Sequence, residues 1–405
     1  MRIERWAAAL CAAVSLQAGA ANAQDRALTL AEVLARARER APQIVSSRLA
    51  VEEARGRLLG AMVRRPNPEL DASLGNREGP ESRFTDLGLG VAQKFEPGSR
   101  RAARIDGANA AIAQSEANVD ETMREVLRHA AGTYFRVLHA QERIRLLDTT
   151  RELAAGVHAV AGRRFKAGDI AVLDVNIARA SLARVRAERE AAEALRALAA
   201  GDLKQLLQLD GDLRVQGELT RGTEADLDAL LQAAARRPEL RALEAGLQEA
   251  EAEARLGRSF ARPEYGVGVR YAREEGDQIL IGGVTVTLPV FAKGQELQAA
   301  GAARAARLRA ELEAARTRVQ LQVRSAYEAY SRRLEAVRVL ESDAIPGLGD
   351  NETLSARSFD VGQLGLPELL LIRREILETR SQYLDALLDA ALARIDLDAS
   401  AGVLR

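Results

Sequence analysis

Two periods of hydrophobicity alternate along the chain. Between about residues 68 and 97, Leu87, Leu89 and Val91 alternate with Gly88, Gly90 and Ala92, and Leu70, Ala72 and Leu74 alternate in the same way. Between about 263 and 291, Tyr265, Val267, Val269 and Tyr271 stand against Glu264, Gly266, Gly268 and Arg270, while Val284, Val286 and Leu288 stand against Thr285 and Thr287. A period of two with one apolar face predicts two β-hairpins, with polar turn segments at 75–83 and 273–278. Each hairpin is followed by a helical period. No proline occurs from Arg101 to about Lys166, and Ile105, Ile112, Val119 and Val126 recur every seven residues beside a second seam of Met123, Ala130, Val137 and Ile144. Such heptads predict coiled-coil packing, in a helix roughly 90–100 Å long if unbroken. Leu308, Leu312, Ala315, Val319, Val323, Ala326 and Tyr330 mark its counterpart, which Pro346 is expected to kink or break. Returning amphipathic helices are expected over about 174–209 and 367–398.

These elements repeat. Leu34–Pro42 and Leu230–Pro238 share one spacing, and Pro68-Glu69-Leu70 matches Pro263-Glu264-Tyr265. Phe165-x-x-Gly168-x-Ile170-x-x-x-Asp174-Val175 recurs as Phe359-x-x-Gly362-x-Leu364-x-x-x-Glu368-Leu369. Three matches in order, at nearly one offset, divide the chain into a first repeat at 24–215 and a second at 216–405. The hairpins occupy 68–97 and 263–291, and the helical turns, or tips, occupy 165–175 and 359–369. Each copy reads as short helix, helix, hairpin, long helix, Gly-containing turn and helix.

Residues 1–23 read as a signal peptide. Arg2 and Arg5 precede the apolar run Trp6–Leu16, and Ala21-Asn22-Ala23 fits a small-x-small cleavage site. Leu10 before Cys11 is not a lipidation context. Cleavage would remove Trp6 and Cys11, the one Trp and the one Cys of the chain, so no disulfide is expected. No later segment is apolar enough for a membrane helix, which leaves an exported soluble protein or one inserted as strands. A small soluble sheet packed on helices would also give the hairpin pattern. The Gly, Ala and polar composition of the second face favours lipid contact instead. Four strands cannot close a barrel, so insertion would require several subunits.

Composition then changes the picture in two places. The chain has 78 alanines in 405 residues, which points to helices in close approach. Lys plus Arg and Asp plus Glu both number 58, and this balance offers no footprint for nucleic acid. Aromatics are only 3%, few for the girdles of a membrane barrel, although Phe84, Phe95, Tyr265, Tyr271 and Phe291 all fall in the hairpins. No catalytic constellation is visible and no cofactor is expected. His129, His139 and His158 lie on the first long helix without ligand spacing, so no metal site is expected either. Gly88-x-Gly90 belongs to a strand and is no phosphate loop.

The repeat, the paired hairpins and the Gly-containing tips together resemble the TolC outer-membrane efflux family, in particular the outer-membrane subunits of cobalt–zinc–cadmium-type tripartite systems. The resemblance covers essentially the whole chain after residue 23. It implies a mainly α fold with a transmembrane β contribution: a homotrimer in which each subunit gives four strands to a 12-stranded barrel in outer-membrane lipid, above a long periplasmic helical tunnel. A belt drawn from about 200–235, 341–356 and the C-terminus would surround that tunnel. It implies a passive exit duct, not an enzyme, with a periplasmic adaptor protein and an inner-membrane RND-type pump as partners. Heavy-metal cations are the expected cargo. A duct for drugs or secreted proteins, or a soluble periplasmic coiled-coil adaptor, are the competing readings.

The resemblance also assigns the tips. Gly168, Asp169, Gly362 and Gln363 match the turns where the adaptor docks, although the same glycines would serve plain helix hairpins. Asp174 matches an acidic residue that, in the family, bonds to a Tyr and an Arg to hold the entrance closed. Here those positions are Phe359 and Leu364, so that lock cannot form. Two acidic pore rings align with Glu368 and Leu371, and only the first is acidic here. Glu368 would draw cations to a narrow axis or, beside Pro367, simply favour a helix N-terminus.

Overall fold

A computed structural model describes residues 27–79 and 83–404, so the proposed signal peptide lies outside the described residues. Nine α-helices and four strands are described: α1 (Leu30–Arg40), α2 (Pro42–Met62), β1 (Glu69–Glu78), β2 (Arg83–Phe95), α3 (Gly98–Ala167), α4 (Val172–Leu207), α5 (Leu227–Ala234), α6 (Pro238–Ser259), β3 (Glu264–Glu274), β4 (Asp277–Thr287), α7 (Gln295–Val339), α8 (Leu348–Asp360) and α9 (Leu366–Ala401). A single π-helical turn, Leu340–Ala344, separates α7 from α8. The chain forms two compact units. One comprises the residues up to Val45, Met123–Ala234 and those from Gln320 on; the other comprises Ser46–Thr122 and Ala235–Val319.

The second unit holds the sheet, which is antiparallel throughout in the order β1-β2-β3-β4. Its register pairs Leu70 with Val91, Leu89 with Tyr271, and Val267 with Val284, so the alternating apolar residues of all four strands share one face. That face is exposed: Leu70, Leu74, Leu280 and Val284 each keep about three-quarters of their surface. Phe95 and Tyr265 are register partners at one end of it. β1 and β4 are both edges. The turns are shorter than the polarity pattern predicts. β1 continues to Glu78, and β3 passes to β4 through Glu275 and Gly276 alone, both at positive φ (54° and 94°), as a tight two-residue hairpin turn requires. Polarity misleads here because the polar residues pair across the ladder: Arg77 donates to Asp86 (3.1 Å) and to Glu275 (2.6 Å), and Thr85 to Asn76 (3.3 Å).

On the opposite face, the Arg270 side chain crosses β2 to reach Ser73 on β1 at 3.1 Å, with Asp71 3.7 Å away. A Cβ on Gly88 would meet both Ser73 and Arg270, and one on Gly90 would lie 3.1 Å from Asp71. The Gly-x-Gly spacing therefore clears a path for a side chain. Alanine dominates the helices of this unit: Ala103, Ala110 and Ala117 form the buried heptad of α3, and the expected Ile105 and Ile112 flank it half-buried. Backbone approach is the reason. A Cβ on Gly301 would stand 2.6 Å from the Ala254 nitrogen, so at this point α6 and α7 leave no room even for alanine.

In the first unit the second predicted seam is buried: Ala130, Val137 and Ile144 of α3 are covered, and Leu127 and Leu138 join them. Their core takes in α1, the end of α4 and residues 213–215, where Leu28 pairs with Val215 in an isolated parallel bridge. Tyr134 and Tyr330 occupy equivalent positions in the two repeats, and both are buried. Each donates its hydroxyl to one connecting segment, Tyr134 to the Gln216 carbonyl (2.7 Å) and Tyr330 to the Thr223 carbonyl (2.6 Å). Gly217 and Gly222 make room, since a Cβ on either would overlap the adjacent hydroxyl. Burial raises the Tyr134 phenol above its ordinary pKa, as desolvation of a would-be phenolate must. Pro346 breaks the second long helix as expected: α7 ends at Val339, and Ile345 donates five residues back to Leu340 (3.0 Å).

Candidate functional site: the paired helical tips

Both tips lie in the first unit and are built by the same local rules. At the first, Gly168 N donates to the Phe165 carbonyl (3.0 Å) and Asp169 N to the Arg164 carbonyl (2.9 Å). At the second, Gly362 N donates to Phe359 (3.1 Å) and Gln363 N to Ser358 (2.8 Å). This is the double-bonded helix ending whose first residue past the cap is left-handed. Gly168 and Gly362 supply that conformation at φ 85° and 78°, and nothing stands within 4 Å of a Cβ placed on either. Backbone geometry, not space, demands the glycines.

The next helix is started by a carboxylate in each case. Asp174 Oδ2 accepts from Ala171 N (3.3 Å), and Glu368 Oε2 accepts from Gly365 N (2.8 Å). Each satisfies an otherwise orphan donor three residues back and places negative charge on a positive helix end. Of the two readings of Glu368, the helix-starting role is thus realised within the chain, and the side chain remains exposed. Leu371 is also exposed, at 65%.

The structure brings the two tips together. Phe359, Leu366 and Leu369 pack with Val157, Ala161 and Ala178, and Ile170, Val175 and Leu364 close the cluster. The aligned aromatics differ: Phe359 is 6% exposed and Phe165 44%. The guanidinium of Arg164 lies 4.6 Å from the centre of the Phe359 ring, a cation–π contact. A cation from the first tip therefore covers the buried aromatic of the second. The signal for it was the unbroken run Arg163-Arg164-Phe165, whose cations had no assigned partner.

Farther along these helices, His139 Nε2 stands 2.8 Å from Asp385 Oδ1, and Arg143 donates to the same carboxylate at 3.0 Å. The hydrogen bond from His139 and then the charge of Arg143 hold Asp385 below its ordinary pKa, against the opposing effect of burial. Among the described residues, no group of three or more His, Cys, Asp or Glu side chains is placed to hold a metal ion, and no helix is long and apolar enough to cross a membrane.

Comparison with known proteins agrees with this geometry. Residues 33–208 match the family described as Outer membrane efflux protein. The cobalt-zinc-cadmium resistance protein CzcC of Cupriavidus metallidurans is 25% identical over 331 residues, which cover 80% of this chain and 78% of that protein. Among solved structures, CusC superposes with a TM-score of 0.78 at 16% identity, covering 92% of this chain and 91% of that one. The Campylobacter jejuni CmeC outer membrane channel superposes at 0.77 and 15%, covering 92% and 85%.

Proposed function

From the match of residues 33–208 to the outer membrane efflux protein family and the fold shared with CusC and CmeC, we propose that this chain is a member of that family and the exit duct of a tripartite heavy-metal efflux system. The observation that carries the reading is the sheet: an apolar face of four strands left bare, with both edges unpaired. Three copies joined edge to edge would make a barrel of three times four strands, removing every edge and turning the apolar face to lipid. Phe95, Tyr265 and the 89%-exposed Phe291 would sit at the interface with water. The long helices would line a conduit in the periplasm, and their tips would receive an adaptor bound to an inner-membrane pump.

Likeness to CzcC supports cobalt, zinc and cadmium ions as the cargo. The duct would be passive toward them. Deletion of the gene should lower tolerance to these cations, and the wild-type chain should restore it from an outer-membrane trimer. Recovery of the chain as a soluble periplasmic monomer would overturn the duct; restored drug tolerance with unchanged metal tolerance would overturn only the cargo.

A further inference from the structure

The apolar face of the sheet ends at the register partners Phe95 and Tyr265, and a recess of ≈ 400 Å³ opens beside Phe95. It is walled by the start of α3 and by the chain between α2 and β1. That connecting chain is held against β2 where the Gln93 side chain donates to the Pro66 carbonyl (2.9 Å). Gln93 and Phe95 follow Leu89 and Val91 at a spacing of two, so all four stand on one face of β2. The recess therefore continues the exposed apolar face, not the face that carries Arg270.

Its charge is one-sided. Arg64, Arg65, Lys94 and Arg101 stand against a single carboxylate, Glu96, among the lining residues. Glu96 is taken by Arg104 through two bonds (2.5 and 2.6 Å), and Lys94 by Glu69 (2.9 Å). Three arginines remain. Arg65 donates to the Gly60 carbonyl (3.2 Å) and Arg101 to the Met62 carbonyl (3.0 Å), neutral acceptors that position a guanidinium without cancelling its charge. None of the three guanidiniums pairs with a carboxylate among the described residues. A lone surface arginine needs no ligand, because water solvates it. Three around one recess repel one another, and an anion between them relieves the repulsion.

We infer that the recess receives the phosphate of an anionic phospholipid, with Arg64, Arg65 and Arg101 as its cations and Phe95 against the start of the acyl chains. This rests on the reading that the apolar face meets lipid. Position favours a lipid over free phosphate: the cations stand where the apolar face stops, the level at which headgroups lie. The planar guanidinium fork also matches phosphate oxygens.

The test uses the full-length protein reconstituted in phosphatidylcholine vesicles that contain a small fraction of spin-labelled phosphatidylglycerol or spin-labelled phosphatidylcholine. The wild type should hold phosphatidylglycerol roughly fivefold or more tightly than phosphatidylcholine, the gain expected from even one cation at the headgroup. Replacing the three arginines together (Arg64→Gln, Arg65→Gln and Arg101→Gln) should remove that preference, and Arg332→Gln, at an exposed position on α7, should leave it intact. A phosphatidylglycerol with a photoreactive headgroup should label residues 64–68 or 95–101 of the wild type, which locates the lipid even if the triple variant does not insert. No preference in the wild type, an equal preference in the triple variant, label confined to other segments, or loss of the preference when inorganic phosphate replaces chloride at constant ionic strength would each overturn the inference. A chain that fails to float with the vesicles would overturn the duct reading as well.

Discussion

The two tips are copies of one motif in different surroundings. Both end a helix with a left-handed glycine, and both start the next with a carboxylate bonded three residues back. Yet Phe359 is buried beneath Arg164, and Phe165, its counterpart, projects into solvent. The helices that lead to them differ as well: α3 reaches the first tip unbroken, whereas the path to the second passes through the π turn and Pro346. Local hydrogen bonding therefore fixes the shape of both turns, and packing assigns them separate tasks. The second tip anchors the pair, and the first leaves an aromatic side chain half exposed.

The most direct way to break this comparison is to truncate both aromatics. Phe359→Ala should destabilise the solubilised protein by about 3–5 kcal/mol, the usual cost of a buried Phe. Phe165→Ala should change stability by less than about 0.5 kcal/mol and still lower efflux, measured as metal tolerance. Equal destabilisation would erase the distinction.

Valine at the glycines should sharpen it. Gly168→Val and Gly362→Val each force a left-handed β-branched residue, at about 1–2 kcal/mol, with no steric clash to separate them. Both should abolish efflux while crosslinking still detects an outer-membrane trimer. Unchanged efflux would show that tip geometry does not couple the duct to its adaptor. The carboxylates come next. Asp174→Asn and Glu368→Gln should each cost roughly 0.5–1 kcal/mol as lost helix-starting interactions. If Glu368 also forms a ring at the entrance, only its variant should reduce cation selectivity in planar bilayers.

The smallest effect belongs to the shaft. Asp385 has its folded pKa depressed by His139 and Arg143, so its contribution to stability is present above the ordinary carboxylate range and is lost as pH falls through the folded value. The melting-temperature gap between wild type and Asp385→Asn should be open at about pH 6 and close toward about pH 3.

Much of this architecture was legible in the sequence because period and repetition survive as residue patterns. The hairpins, the break at Pro346 and the paired tips follow from them. The first hairpin turn is shorter than its polarity suggests because Asn76 and Arg77 look like loop residues until their cross-strand partners, Thr85 and Asp86, are known. Of the first predicted α3 seam Val126 is buried, whereas Ile105, Ile112 and Val119 are half-buried beside Ala103, Ala110 and Ala117, because hydrophobicity ranks Ile above Ala while close helix approach favours the smaller side chain. Tyr134 and Tyr330 gave no sign of their shared role, since their acceptors are main-chain carbonyls, which carry no side-chain signature. The contact between Arg164 and Phe359 was hidden for a related reason: 195 residues separate them, and pattern alone cannot say which cation covers which ring.

The bare edges of β1 and β4 have a consequence for the unassembled chain. Each edge offers a row of unpaired amides of nearly equal length, 10 and 11 residues, next to an apolar face. A lone protomer is therefore adhesive toward any extended polypeptide it meets, and in the proposed trimer each edge would be covered by a further copy of the chain. Aggregation of unassembled chain should therefore rise with its concentration.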